Sequence, residues 1–174
     1  MIIEKGKIDD IDEIEALYNE LNDALKQGIN YPGWKKGVYP VRENAVKGIS
    51  ENNLYVVKIN NKIVGSLILN HEPEQGYETV KWLCDAEYNK IFVIRTFIVH
   101  PQYFKKGIGM KMMNFAEETA RISKMSSMRL DVFENNIPAI KLYEKYGFQY
   151  IDTIDLGLGE YGLDWFRVYE KILK

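Results

Sequence analysis

The stretch from Ile91 to Arg121 constrains the fold of this chain more than any other. It begins with a run of nine residues, Ile91 to Val99, that is almost entirely apolar. A run this short, rich in β-branched and aromatic residues, predicts a buried strand. Pro101 follows it closely, and proline ends a strand because it has no N–H to donate to a neighbour.

A glycine turn and an amphipathic helix follow the strand. The turn contains Gly107 and Gly109, directly after Lys105 and Lys106. Apolar positions then recur at three- and four-residue spacing, which predicts one buried helix face; they are Ile108, Met112, Phe115, Thr119 and Ile122. A helix that starts at a glycine turn presents free N–H groups at the positive end of its dipole, where phosphate binds well.

By itself this glycine pattern is weak evidence for any function, because a tight turn would use the same residues. The nucleotide-binding pattern G-x-x-x-x-G-K-[ST] is absent from the sequence. A dinucleotide fingerprint is also excluded, since it needs a third glycine where Met112 stands.

Composition narrows the class of protein. The chain has 174 residues, 46% of them hydrophobic, which predicts a single globular domain over residues 1–174. Its formal net charge of −2 gives no electrostatic reason to expect nucleic acid or a membrane surface as a partner. Two histidines and one cysteine lack the spacing of a zinc site, so no metal is expected. The first residues form no signal-peptide core, which predicts a cytoplasmic protein.

The remaining elements follow from periodicity and from turn residues. A helix is expected from Asp9 or Asp10 to Gly28, with Ile8 and Ile14 on its apolar face. Asn60 and Asn61 tolerate positive φ and predict a tight hairpin. Asn70 to Lys90 has no clear periodicity and stays unassigned. The other predicted elements are strands at Met1–Glu4, Leu54–Ile59, Lys62–Leu69, Met128–Phe133, Phe148–Asp155 and Trp165–Leu173, and helices at Arg42–Ser50 and from Asn135 or Asn136 to Gly147.

A second motif makes the prediction specific. Residues 129–150 read RLDVFENNIPAIKLYEKYGFQY. Together with the glycine turn, this segment resembles the GNAT superfamily of N-acetyltransferases. The family's loop pattern [QR]-x-x-G-x-[GA] falls on Phe104 to Gly109, and Phe104 departs from the usual Gln or Arg. The later pattern falls on Asn136, Ala139, Tyr143, Gly147 and Phe148.

The resemblance implies a fold and a cofactor. The fold is of the α/β (α+β) type, a mixed and mostly antiparallel sheet with helices on both faces and a splayed central strand pair. The cofactor is acetyl-CoA, or coenzyme A after transfer. Its binding residues would be Phe97, Ile98, Val99, Lys105, Lys106, Gly107, Ile108, Gly109, Met110, Asn136 and Tyr143.

The resemblance also implies catalytic and acceptor residues. Tyr143 would be the acid that protonates the departing thiolate, since a tyrosine has a reference pKa of about 10 against about 8.5 for a thiol. Backbone N–H groups around Phe97 to Val99 would stabilise the oxyanion. Trp34 and Tyr39, in the loop Ile29 to Val41, and Arg95 would contact the acceptor amine.

One departure concerns the general base. Enzymes of this superfamily often carry a glutamate on the central strand, whereas this chain has Arg95, Thr96 and Phe97 there. The candidates elsewhere are Glu72, Asp131 and Glu134, and more remotely His100.

The prediction is therefore an N-acetyltransferase that acts by direct attack of a primary amine of a small molecule or peptide. The missing carboxylate leaves a second interpretation open, a non-catalytic module that senses acetyl-CoA. The sequence does not identify the acceptor, and it leaves a homodimer open.

Overall fold

A computed structural model of the chain describes residues 1–173. The helices are α1 (Ile11–Gln27), α2 (Arg42–Ser50), α3 (Ile108–Ile122) and α4 (Ile137–Tyr146). The strands are β1 (Ile2–Lys5), β2 (Leu54–Ile59), β3 (Lys62–Asn70), β4 (Ile91–Val99), β5 (Ser127–Phe133), β6 (Gln149–Ile154) and β7 (Phe166–Ile172). The predicted order of elements is confirmed, with the ends shifted by one or two residues.

These strands form one sheet in the order β1-β2-β3-β4-β5-β7-β6. Antiparallel pairing joins β1 to β2, β2 to β3, β5 to β7 and β6 to β7, whereas β4 and β5 pair in parallel. The paired residues of β4 and β5 run only from Ile91 with Ser127 to Val93 with Arg129, although both strands continue. The mixed, mostly antiparallel fold with a splayed central pair is thus confirmed.

The chain falls into two compact units, each with its own core. The first contains residues 1–30, 34–69 and 95–115, and the second contains the remaining described residues. Helix α1 supplies Ile14, Leu17 and Leu21 to the first core, where β2 and β3 supply Val56 and Ile63. The second core includes Tyr77, Val93, Phe166 and Val168. The assignment of residues 1–174 to a single domain stays a prediction.

Three local predictions have different outcomes in the structure. The hairpin is confirmed, since Asn60 and Asn61 have φ of 50° and 61°.

The expected apolar face of α3 is partly wrong, because Phe115 and Thr119 are only half-buried and Ile122 is 75% exposed. Met113, Ala116 and Ala120 are buried with Ile108 and Met112 instead. Ile8, expected on the apolar face of α1, is likewise exposed. Small alanines allow the closest approach of a helix, so large aliphatic residues alone do not mark its buried face.

Asn70, the first residue of the unassigned segment, ends β3. The rest of that segment, which we call the strap (residues 71–90), is mostly irregular chain with short 3₁₀ turns at Tyr77–Thr79 and Tyr88–Lys90. It is attached to β5 and β7 by a buried ion pair, in which Arg129 Nε lies 2.8 Å from Glu170 Oε1. The amides of Leu83 and Cys84 both donate to Glu170 Oε2. These contacts explain why the strap has no periodic pattern, since polar bonds to distant strands hold it.

Candidate active site

The carboxyl half of β4 carries side chains in strict alternation. Arg95, Phe97 and Val99 are half-buried, whereas Thr96 and Ile98 are buried. Thr96 has a φ of +47°, in the left-handed region that β-branched residues avoid. Such a conformation costs about 1–3 kcal/mol and persists where the surroundings hold it, often at functional sites. Arg95, Phe97 and Val99 are therefore the residues of this segment whose side chains are partly accessible to a ligand.

Tyr39 is the side chain that contacts the strained residue. Its hydroxyl oxygen lies 2.8 Å from Thr96 Oγ1, and either group can donate. Asn22 Nδ2 on α1 donates to the Tyr39 carbonyl at 3.2 Å, so the backbone of the loop is also fixed. The Trp34 ring packs edge-on against Tyr39, with centroids 5.2 Å apart, and contacts the first core. Trp34 is therefore partly a core residue, and Tyr39 bridges α1 and β4.

The turn before α3, which we call the glycine loop (residues 101–107), is shaped to leave its backbone accessible. Lys105 and Gly107 both have left-handed φ, at 60° and 77°. A Cβ built on Gly107 would meet no atom within 4 Å, so open space lies beside the chain at this point. The Lys111 N–H donates to the Gly107 carbonyl. The amides of residues 108–110 precede that bond at the helix start, where N–H groups have no partner within the helix.

The glycine loop also carries two positive charges and a contact between a lysine and an aromatic ring. Lys105 and Lys106 are exposed, and Lys106 Nζ lies 4.9 Å from the centroid of the Tyr103 ring. Phe104, which stands where the superfamily usually has Gln or Arg, is 49% exposed. Two cations beside free amides at a helix start suit a phosphate group.

In the second unit, α4 carries the other predicted cofactor residues. Asn136 caps the helix, because its side-chain oxygen accepts from the Ala139 N–H. Gly147 ends it with a φ of 95°. Tyr143 is 7% exposed, and its ring packs edge-on against Phe148 with centroids 6.2 Å apart. Asn136 and Tyr143 are seven residues apart, so they lie on the same side of the helix two turns from each other.

The candidate bases have different surroundings. Asp131 on β5 accepts a 2.7 Å hydrogen bond from the Tyr77 hydroxyl. Burial, followed by the Asp131 charge, raises the pKa of Tyr77 well above its ordinary value, so Tyr77 stays protonated and donates. Glu72 is exposed, and Glu134 is half-buried near the end of β5.

His100 is already engaged on both ring nitrogens. Its Nε2 lies 2.5 Å from Glu20 Oε2, and its Nδ1 accepts from the Gln102 N–H at 3.2 Å. The Nδ1 lone pair is already shared with a backbone amide, so an incoming proton would have to displace that hydrogen bond. His100 therefore stays the most remote of the predicted bases.

The structure divides the predicted residues between the two units. The second unit contains Asn136 and Tyr143. The first unit contains the others, which are Trp34, Tyr39, Arg95, Phe97 to Val99 and Lys105 to Met110. No pattern in the sequence indicates the positive φ of Thr96 or the contact of Glu20. A β-branched residue gives no hint of positive φ, and Glu20 is 80 residues from its histidine partner.

Two classes of feature are absent from the described part of the chain. Within residues 1–173, no helix is long and apolar enough to cross a membrane. The same residues contain no group of three or more His, Cys, Asp or Glu side chains that could hold a metal ion.

Comparison with known proteins identifies the family. Residues 14–148 match the model of the acetyltransferase (GNAT) family. A spermine/spermidine N(1)-acetyltransferase of Bacillus subtilis strain 168 is 38% identical over 72 residues, which are 41% of this chain and 47% of that protein. The chain thus matches about half the length of this curated relative.

Solved structures share the fold. A GNAT family acetyltransferase from Streptococcus agalactiae 2603 superposes with a TM-score of 0.81 at 21% identity, covering 99% of this chain and 95% of that one. A ribosomal-protein-alanine N-acetyltransferase from Brucella melitensis gives a TM-score of 0.72 at 17% identity, covering 99% and 100%. At such identities the likeness concerns the fold alone.

Proposed function

The chain belongs to the acetyltransferase (GNAT) family, and from this premise we propose that it moves an acetyl group from acetyl-CoA to a primary amine by direct attack. The observation that carries the proposal is the glycine loop, which joins two left-handed residues, open space beside Gly107 and two exposed lysines directly before α3. These are the features that a phosphate-bearing ligand needs.

The residues present fit coenzyme A. The amides of residues 108–110 would bind its phosphates, with Lys105 and Lys106 adding charge. Phe97, Ile98 and Val99 offer backbone groups along β4, and Asn136 offers a side-chain amide that can cap α4 and still bind through its nitrogen. When bound, acetyl-CoA supplies an activated acetyl group as a thioester.

The chain's own residues would then stabilise charge and move two protons. The attacking amine would lose its proton to water or to one of the predicted bases, Glu72, Asp131 and Glu134, and the leaving thiolate would gain one. Backbone N–H groups of the segment Phe97 to Val99 are proposed to stabilise the oxyanion, because fixed amides need no reorganisation as charge develops. The strained φ of Thr96 directly precedes this segment. Tyr143 is proposed as the acid that protonates the leaving thiolate, a role carried over from the family motif.

For the acceptor we propose a cationic amine, with polyamines as the leading class. The B. subtilis relative carries that specificity in its name. The strap and the loop of residues 155–165 together contain eight carboxylates and only two lysines. They lie against each other, since a Cβ on Gly76 would be 2.9 Å from the Asp155 carbonyl oxygen. An acidic surface of this kind attracts polycations and raises their association rate at low salt.

The test is an acceptor panel with acetyl-CoA, read by thiol release and by the mass of the acetylated product. Spermidine, a neutral-tailed monoamine and a peptide with an alanine N-terminus cover the three acceptor types. If the acidic surface steers polyamines, kcat/KM for spermidine falls with added salt while that for the monoamine changes little. Equal salt dependence would contradict a polyamine acceptor.

Binding and turnover separate the enzyme from the sensor module. Coenzyme A at about 100 times its dissociation constant should add roughly 2.7 kcal/mol of stability, measured as a rise in melting temperature. No rise at millimolar coenzyme A would refute the proposal. A clear rise with no thiol release for any amine would leave the sensor as the function.

A further inference from the structure

We propose that His100, oriented by Glu20, is the positioning residue that presets the glycine loop for coenzyme A. This inference rests on the proposed function, because it assigns a purpose to a loop that the function requires. His100 follows β4 directly and is 3% exposed, so its ring is enclosed at the point where the strand becomes the loop.

The tautomer of the imidazole follows from its two partners. The Gln102 N–H donates to Nδ1, so Nδ1 carries a lone pair and no proton. The proton of the neutral ring is then on Nε2, which donates to Glu20 Oε2 at 2.5 Å. The carboxylate therefore fixes the orientation of the ring, and the ring fixes the first amide of the loop.

Backbone and ring contacts extend this arrangement towards the cations. The His100 N–H donates to the Val64 carbonyl on β3, and the His100 carbonyl accepts from the Tyr103 N–H, both at 2.8 Å. The Tyr103 ring packs edge-on against the imidazole, with centroids 5.8 Å apart. Lys106 lies over the same Tyr103 ring. A continuous series of contacts thus leads from α1 through His100 to the lysine proposed to bind phosphate.

The position of Glu20 distinguishes a functional role from a purely structural one. Its side chain is 53% exposed, so removing it leaves no enclosed cavity and no buried charge. Its remaining effect is on the ring and, through the ring, on the loop. A loop already held in its bound shape loses less entropy when the ligand binds, so the effect should appear in affinity.

Four variants test the proposal. His100→Asn keeps an acceptor for the residue 102 amide, as asparagine does in turns, but cannot reach Glu20. His100→Gln keeps a donor towards Glu20 but loses the acceptor at the loop. Glu20→Ala removes only the outer partner. Asp12→Ala is the matched control, since it removes a carboxylate from the same helix whose partner, Arg42, is retained by Glu15.

The measurements are the dissociation constant of coenzyme A, the KM of acetyl-CoA, kcat, and amide hydrogen exchange of residues 102–107 in the free protein. We expect His100→Gln and Glu20→Ala to raise the dissociation constant and the KM about tenfold, with kcat within about twofold of wild type. Exchange in the loop should accelerate in the same two variants. His100→Asn should bind within about threefold of wild type, and Asp12→Ala should match wild type.

The possible results distinguish a failure of this inference from a failure of the proposed acetyltransferase function. Wild-type protein that does not bind coenzyme A would overturn both together. Wild-type binding with Glu20→Ala and His100→Gln unchanged in affinity and loop exchange would overturn the positioning role and leave the function standing. If His100→Asn loses as much affinity as His100→Gln, the bond to Gln102 is not what positions the loop, and the inference fails. The Glu20 variant keeps the test decisive should a His100 variant not fold.

Discussion

Replacing Glu170 by glutamine is expected to destabilise the second unit strongly. Glu170 has no exposed surface. One carboxylate oxygen accepts from Arg129 Nε and from Ser127 Oγ, both at 2.8 Å. The other accepts from the Leu83 and Cys84 amides at 2.6 and 3.2 Å. A glutamine has one carbonyl oxygen and one NH₂ group. In one orientation its NH₂ group faces the N–H donors of Leu83 and Cys84, and in the other it faces the Nε–H of Arg129, so at least one donor always meets a donor.

The size of the expected loss in stability follows from the burial of Arg129 and Glu170. Arg129 is 3% exposed and keeps its hydrogen bond to the Cys84 carbonyl, but its charge loses the carboxylate. The Trp82 and Tyr88 rings, with centroids 4.2 and 5.2 Å from the guanidinium carbon, compensate only in part. Breaking one side of a buried ion pair costs about 3–5 kcal/mol. For a chain of this size, that lowers the melting temperature by roughly 6–20 °C.

The assay is urea unfolding of Glu170→Gln beside a matched surface variant, Asp23→Asn. Asp23 also pairs with a cation, Lys36, but both side chains are about half exposed, so its loss should cost less than about 1 kcal/mol. The double variant Arg129→Met with Glu170→Met should recover part of the loss, because no buried charge is left without a partner. Hydrogen exchange at Leu83 and Cys84 should accelerate in Glu170→Gln, since a neutral glutamine is a weaker acceptor for these strap amides than the carboxylate.

A loss from Glu170→Gln no larger than that from Asp23→Asn would refute the reasoning. It would mean that water reaches the carboxylate and that the strap contacts do not stabilise the unit. A double variant as unstable as Glu170→Gln would show instead that the hydrogen bonds to the strap, and not the ion pair, supply the stability.

The remaining predictions concern the proposed reaction. Tyr143→Phe should lower kcat by about 10²–10⁴-fold with little change in coenzyme A affinity, and pre-steady-state thiol release within threefold of wild type would remove Tyr143 from the mechanism. Gly107→Ala should cost only about 1–2 kcal/mol of backbone strain, because open space surrounds its position, whereas Gly107→Glu should abolish the coenzyme A thermal shift by like charge. Tyr39→Phe and Trp34→Ala should change acceptor kcat/KM while calorimetry finds coenzyme A affinity nearly unchanged; equal losses in both quantities would make these rings packing residues only.

Local chemistry determined the elements of this fold and much of its candidate site. The apolar run of β4, the glycines before α3, the asparagine cap of α4 and the Asn60-Asn61 turn each act within a few residues of chain. Signals of that range are visible in a sequence because periodicity and preferred φ are properties of neighbouring residues. The family motifs have the same range, which is why they could indicate the glycine loop and Tyr143.

Tertiary structure alone decided the contacts that join distant residues. Glu20 contacts His100 across 80 residues of chain. Glu170 contacts Leu83 across 87 residues, and Tyr39 contacts Thr96 across 57. None of these pairs has a local pattern, because each forms only after the sheet has placed its strands. The strap is the clearest case, since the amides of Leu83 and Cys84 are bonded to Glu170 on β7, which lies far along the chain. The left-handed Thr96 belongs with these contacts, because a strained φ is held by its surroundings and not by the preference of the residue.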